Sequence, residues 1–343
     1  MPWWKRAFGS SRRAPDDVDA ALRAALLAVL ERELDEAERL LALACRLDST
    51  AVEPYLALAR LYRMRGEIGR AIRLHQNLLL RKDLSHDQTV AALADLAEDF
   101  QKGGFLQRAI ASYDEVLALA PKHRGAQRAL VPLLASVRDY PRAMEIVRRL
   151  ARRGADSGLP SEASLLVESA EAAHAQGRTQ DARRALKKAL RWDGASVKGW
   201  IALGEIEAEQ GRTKAALAAW AKVPELDRRM GPLVYPRLEA SYAALEKARD
   251  FEAYLGKLLA ERPDDRHARL ALARALAARG EIEDARTELN KLLERDSDDL
   301  EARSALGHLL LAEGREAEAT KSYGELLEVI ERSGRLRRRE SLE

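Results

Sequence analysis

The feature that most constrains this 343-residue chain is a small-residue marker that returns at a period of 34 residues. The marker alanines are Ala37, Ala71, Ala109, Ala143, Ala182, Ala216, Ala285 and Ala319, with gaps of 34, 38, 34, 39, 34, 69 and 34. The gap of 69 hides one more copy, with Phe251 in the alanine place. Around each marker the same local grammar recurs, a turn glycine, then a polar or acidic pair, then a helical pattern. It reads RGEIGRAIRLHQNLL from Arg65, QGRTKAALAAWAKV from Gln210 and RGEIEDARTELNKLL from Arg279. Nine units follow, starting near residues 18, 52, 90, 124, 163, 197, 232, 266 and 300. A repeat of this length is too short to bury its own apolar face. Stacked neighbours bury a continuous one, so the period predicts a repeat architecture.

Each unit reads as two helices. Apolar residues recur at i, i+3, i+4 and i+7 on both sides of the turn, as one face of a helix requires. Charged residues make up 33% of the chain and aromatics only 5%, a balance suited to amphipathic helices rather than to a sheet-bearing enzyme. Gly66, Gly104, Gly177, Gly211, Gly280 and Gly314 stand where a first helix would end on a left-handed residue. Insertions fall at 81–88 and at 152–161, the second a Gly-, Ser- and Pro-rich loop and expected hinge. Pro132 and Pro236, inside first helices, are expected to kink them or delay their start.

The pattern resembles the tetratricopeptide repeat. The second unit carries Tyr55, Leu58, Ala59, Tyr62, Gly66, Ala71 and Leu78 at the repeat's hallmark places, and the sixth carries Trp200, Leu203, Gly204, Gly211, Ala216 and Trp220. The resemblance covers residues 18–333 and implies an all-α, right-handed superhelical solenoid of about nine helix-turn-helix repeats, with a concave groove lined by first helices. Residues 1–17 are left as a basic and aromatic leader, and 334–343 as a basic tail.

Little in the chain points to chemistry. The histidines His75, His86, His123, His174, His267 and His308 show no metal-ligand spacing on one helix turn. No phosphate loop, dinucleotide fingerprint or nucleophile elbow is present. The single cysteine, Cys45, excludes an internal disulfide and a cysteine-based metal site, and reads as a small buried helix residue. Acid pairs such as Asp264–Asp265 and Asp298–Asp299 fall at unit junctions, where they serve as helix starts. The expectation is a non-enzymatic chain without cofactor or metal. Net charge is +3, but residues 1–13 carry +4 and residues 334–343 carry +2, which leaves the body at −3. An acidic body argues against nucleic-acid binding.

On the family's geometry the groove of units two to four is lined by Glu53, Leu56, Arg60, Arg63, Glu98, Gln101, Lys102 and Arg128. Arg60, Arg63, Lys102 and Arg128 then form a basic strip suited to an acidic protein or peptide partner. The asparagines that a two-carboxylate clamp for chaperone C-termini would use are absent from first helices, since Asn77 and Asn290 fall on second helices. His75 occupies a second-helix place that is usually aromatic and is expected to pack in the seam between repeats.

A sharper resemblance lies in VEPYLALARLYRMRGEIGRAIRLHQNLL from Val52, followed by LSHDQ and LAEDFQKGGFLQRA. It is similar to the lipopolysaccharide assembly protein B family in Arg65-Gly66-Glu67, in Arg70 to Arg73, in His75-Gln76, in the insertion with Gln88 and in Asp99-Phe100. That family has an N-terminal membrane anchor and a C-terminal rubredoxin-like knuckle with two Cys-x-x-Cys pairs. It works as an adaptor on the cytoplasmic face of the bacterial inner membrane, between a lipopolysaccharide-synthesis enzyme and a membrane protease. Neither end module is expected here, so metal binding is not carried over. The resemblance implies a protein-binding scaffold linked to envelope or lipopolysaccharide assembly. A cargo- or subunit-binding part of an unrelated secretion, motility or envelope machine is the competing expectation. The chain has no apolar run long enough to span a bilayer and is expected in the cytoplasm. Trp3, Trp4 and Phe8 beside Lys5 and Arg6 suit peripheral contact with an anionic membrane.

Overall fold

The computed structural model describes residues 16–152, 154 and 158–340. Among them the chain is built of helices and turns, with no strand. It divides into two compact units, Met1–Leu165 and Leu166–Glu343.

The first unit holds four helix pairs. They are α1 (Val18–Leu30) with α2 (Leu34–Leu47), α3 (Glu53–Met64) with α4 (Ile68–Leu79), α5 (His86–Lys102) with α6 (Leu106–Leu119), and α7 (Arg124–Ser136) with α8 (Tyr140–Ala151). From α9 (Glu162–Ala175) the pattern continues with α10 (Thr179–Trp192), α11 (Val197–Glu209) and α12 (Thr213–Trp220), the last extended by the short α13 (Lys222–Leu226). A 3₁₀ turn at Arg228–Met230 leads to α14 (Gly231–Ala244) and α15 (Ala248–Glu261). Then come α16 (Arg266–Ala278), α17 (Ile282–Arg295), α18 (Leu300–Ala312) and α19 (Glu316–Glu340). α19 runs on through most of the expected C-terminal tail.

The repeat is visible in how first helices begin and end. Seven start on a side-chain cap: Asp17, Ser85, His123, Ser161, Ser196, Asp265 and Asp299 each accept a backbone N–H three residues on. The other two, α3 and α14, carry proline in the first turn, where no N–H is missed. All nine close with one backbone bond of 2.8–3.0 Å that reaches back five residues, from Glu67 N–H to Tyr62 C=O in the second pair and from Glu281 N–H to Leu276 C=O in the eighth. This closure needs a left-handed residue one place earlier. The six predicted glycines fill it with φ between 69° and 86°, and Arg32, Arg138 and Glu246 fill it in the remaining three pairs with φ of 57–63°.

Core packing follows the small residues. The markers Ala37, Ala71, Ala109, Ala143, Ala182, Ala216, Ala285 and Ala319 are all fully buried, and Phe251 nearly so. At Gly204 the packing is closest, since a Cβ there would lie 2.3 Å from the Trp220 indole nitrogen. Cys45 is half-buried beside the first core cluster, and burial pushes its thiol up to about 11.

The prolines and insertions add detail to the expected pattern. Pro132 and Pro236 lie inside α7 and α14 without delaying either helix. The proline that does break a helix is Pro224. It has no N–H to offer Trp220 C=O, and α12 ends at Trp220. Side chains satisfy the neighbouring carbonyls instead. The Tyr254 hydroxyl donates to Ala221 C=O at 2.9 Å, and the Arg262 guanidinium donates to Pro224 and Glu225 C=O at 2.9 and 2.8 Å. The insertion at 81–88 becomes the start of a long helix. Ser85 and Gln88 form a reciprocal capping box, and α5 runs for 17 residues. The 152–161 loop is only partly within the described residues.

Candidate partner-binding groove

First helices of successive pairs pack side by side, α3 against α5 in the first unit and α14 against α16 against α18 in the second. The seams between them are where groove chemistry is decided. Two seams differ sharply.

In the seam between α3 and α5, Arg60 and Arg63 lie one turn apart on α3 and face Asp95, Glu98 and Asp99 on α5, residues whose i, i+3 and i+4 spacing puts them on one helix face. Arg60 Nη2 is 2.7 Å from Asp95 Oδ2. Arg63 reaches Asp95 at 3.2 Å, Glu98 at 3.0 Å and Asp99 at 2.7 Å, and also donates to Asp95 C=O at 3.1 Å. Behind it, His75 Nδ1 lies 2.6 Å from the second Asp99 oxygen. Asp99 and His75 are fully buried and the Arg63 side chain is only 11% exposed. Burial works against the Arg63 charge, but the hydrogen bond to Asp99 and the charges of Glu98 and Asp99 outweigh it and hold the guanidinium above its ordinary value. A charge this buried persists only when paired on every side.

Register against the marker alanines shows how unusual this is. Asp99 stands ten residues before its marker, a place held elsewhere by Leu61, Leu133, Ile206, Ala275 and Leu309. His75 stands four residues after, where other repeats have Leu41, Tyr113, Val147, Leu186, Trp220, Leu255, Leu289 and Tyr323. Asp95 stands where five repeats have alanine, at Ala57, Ala129, Ala202, Ala271 and Ala305, and three have a charged residue, at Arg23, Glu168 and Arg237.

The expected basic strip is therefore corrected. Leu56 is buried, Arg63 is spent on acids of the neighbouring helix, and half-exposed Arg60 shares Asp95. Glu98 pairs with Arg63, and Gln101 lies 3.4 Å from the Tyr113 hydroxyl, whose pKa burial and then Glu98 push up to about 12. Glu53 is exposed beside Gln88, Lys102 is exposed, and Arg128 is exposed but already engaged. Reading the basic residues alone missed Asp95 and Asp99. The signal available was Asp99, the one charged residue at a place that is apolar in every other repeat but the seventh, where it is Ser241. Trp3, Trp4, Lys5, Arg6 and Phe8 lie outside the described residues.

In the second unit the seam between α16 and α18 is open. A cavity of about 550 Å³ is floored by Ile282 and Leu289 of α17 and walled by Ala273, Ala277, Ala305, Leu309 and Ala312. Arg274, Glu301, Ser304 and His308 supply its polar rim. A smaller hollow of about 170 Å³ between α14 and α16 shares Arg274 and Glu301 and adds Tyr235, Pro236, Glu239 and His267. No sequence expectation pointed to either hollow.

A third seam, between α10 and α11, is charged but closed. Glu207 is buried at 1% exposure and takes Arg183 at 2.7 Å, Arg212 at 3.1 Å and Lys187 at 3.2 Å. Burial alone would raise its pKa, but the hydrogen bonds from these three bases prevail and hold it below the ordinary glutamate value. Among the described residues no group of three or more His, Cys, Asp or Glu is placed to hold a metal ion.

Comparison with known proteins places this architecture. Family models described as tetratricopeptide repeat match residues 94–160, 173–235 and 243–309, together more than half of the chain. Lipopolysaccharide assembly protein B of Escherichia coli (strain K12) is 26% identical over 257 residues, covering 75% of this chain and 66% of that protein. The Haemophilus influenzae protein of the same name is 28% identical over 207 residues, covering 59% and 51%. The chain thus spans less than two thirds of the length of these relatives. A tetratricopeptide repeat protein from Parabacteroides merdae covers 85% of this chain and 98% of its own at 13% identity, with a TM-score of 0.40.

Proposed function

The chain belongs to the tetratricopeptide repeat family, and from that premise we propose that it is a scaffold that holds protein or peptide segments during bacterial envelope or lipopolysaccharide assembly. The observation that supports scaffolding best is the row of first helices. The seam between α3 and α5 closes on internal ion pairs and that between α16 and α18 stays open, while Glu53, Arg60, Lys102 and Arg128 stay at the surface of the first unit and Arg274 and His308 at that of the second. Within each unit, stacked first helices offer a contact surface of the kind repeat proteins use to hold partners. The envelope role rests on the likeness to lipopolysaccharide assembly protein B. Among the described residues no helix is long and apolar enough to cross a membrane. Contact with the inner face of the inner membrane would fall to Trp3, Trp4, Lys5, Arg6 and Phe8.

Affinity capture with the full chain, read by mass spectrometry, tests the role. Envelope-assembly proteins are expected, and components of a secretion or motility machine in their place would overturn the envelope reading in favour of the competing one. The double reversal Arg60→Glu with Lys102→Glu should weaken capture while leaving the helical circular dichroism intact. Sedimentation with anionic vesicles should fall with added salt and on deletion of residues 1–13, and equal sedimentation with and without that segment would remove the membrane contact.

A further inference from the structure

The two contrasting seams are built on the same repeat positions, and that identity carries a further inference. Arg274 stands eleven residues before marker Ala285, as Arg60 stands eleven before Ala71. Around Arg60 the opposing helix supplies Asp95, Glu98 and Asp99. At the matching places around Arg274 stand Ala305, His308 and Leu309. The places of Arg63 and His75 are taken by Ala277 and Leu289. Of the groups that fill and neutralise the first seam, Asp95, Asp99, Arg63 and His75 are replaced by smaller or apolar residues, and Glu98 by the exposed His308. What remains is the cavity of about 550 Å³ and one guanidinium at its rim.

Arg274 is exposed and has no hydrogen-bond or ion-pair partner among the described residues. The rim acid Glu301 is engaged by Arg266, which also holds Asp299 through two contacts of 2.6 and 2.7 Å. His308 stacks edge-on against Tyr323 and presents its ring to the opening. The cavity lies within the size range of small-ligand and side-chain sockets, and apolar walls with a few convergent polar groups are their usual makeup.

We infer that this cavity is a docking socket for a partner protein segment, one that inserts a bulky apolar side chain between α16 and α18 and lays a neighbouring carboxylate on Arg274. The first seam is the template, because it shows which charge an arginine at this place takes when the chain itself provides it. A segment of this kind supplies from outside both things the ninth repeat has given up, the bulk and the acid. The smaller hollow on the other side of Arg274, against Tyr235, Pro236 and His267, gives the segment a direction in which to continue.

The inference rests on the scaffold reading and is tested separately from it. The probe is a short capped peptide with the pair Phe-Asp among glycines, titrated into the full chain while the methyl signals of Ala277, Ala305 and Leu309 are followed by NMR. Saturable shifts at these methyls are expected. Peptides with Ala-Asp or Phe-Lys should each bind about tenfold more weakly. Ala305→Phe, which fills the cavity from within, should abolish the shifts. Arg274→Glu changes only an exposed side chain, so folding does not confound it, and it should reverse the order so that Phe-Lys binds better than Phe-Asp. No saturable shift, shifts centred elsewhere, or equal affinities for the three peptides would overturn the socket. If Arg274→Glu and Ala305→Phe chains capture the same cellular partners as the unaltered chain, the socket falls while the scaffold stands. If the unaltered chain captures nothing, the scaffold reading fails first.

Discussion

The seam between α3 and α5 and the seam between α16 and α18 solve one geometric problem in opposite ways. Both join first helices of consecutive repeats, and both carry an arginine at the same register, Arg60 and Arg274. In one, His75, Asp99, Arg63 and Asp95 are packed into an ionic plug in which Arg63 meets three acids and His75 meets Asp99 through Nδ1, while His75 Nε2 is buried without a hydrogen bond. In the other, Leu289, Leu309, Ala277 and Ala305 leave an apolar hollow. A repeat fixes the backbone frame and leaves the seam free to be either a self-contained joint or a receptive surface. The charges of the first seam add little net stability by themselves, because desolvation offsets much of what a buried ion pair contributes.

The sharpest way to break the comparison is to turn one seam into the other. Asp99→Leu alone should destabilise the first unit by roughly 3 kcal/mol, because it leaves Arg63 and His75 buried without their shared partner. The fourfold change Arg63→Ala, His75→Leu, Asp95→Ala and Asp99→Leu rebuilds the ninth repeat's solution and should recover most of that loss. Urea unfolding of the single and fourfold variants reads both. A fourfold variant less stable than Asp99→Leu would show that the network does not act as a unit.

A second change sharpens the difference in packing. Ala59 is fully buried, whereas Ala305 lines the hollow. Ala59→Leu should cost about 2 kcal/mol by overpacking. Ala305→Leu should change stability by less than about 1 kcal/mol, since its added methyl groups enter existing space. Equal losses in thermal unfolding would mean that the hollow closes in solution.

The smallest effect concerns the turns that close the first helices. Arg32, Arg138 and Glu246 hold the left-handed conformation that glycine holds in the other six. Each costs about 1 kcal/mol that glycine avoids, offset in part by glycine's greater freedom in the unfolded chain. Arg138→Gly and Glu246→Gly should therefore raise stability by about 0.5 kcal/mol apiece, and Gly66→Ala should lower it. A loss at Arg138→Gly would show that its side chain does more than fill the turn.

The six turn glycines and the acid pairs at 264–265 and 298–299 could be read directly, because caps and left-handed turns depend on residues adjacent in the chain. So could the helix pairs, from the 34-residue period and the marker alanines. The partner of Arg63 could not. Its acids lie 32 to 36 residues away on a different helix, and reading α3 alone leaves a guanidinium that looks free. The same limit hid the hollow, since Ala277 and Ala305 are ordinary helix residues until the two helices face each other. Pro224 is the reverse case, where a purely local rule suffices, since the carbonyl that loses its donor lies four residues back in the same chain segment.

By itself, then, the sequence determined what repeats: helix length, turn conformation, small residues at crossings and the family to which the chain belongs. Those properties are set by interactions within about one repeat, so a linear pattern records them. The tertiary structure alone decided which charges cancel and where a void remains. Both depend on residues one repeat apart meeting across a seam, where changes such as Asp95 to Ala305 and Asp99 to Leu309 separate a sealed joint from an opening beside an arginine with no partner among the described residues.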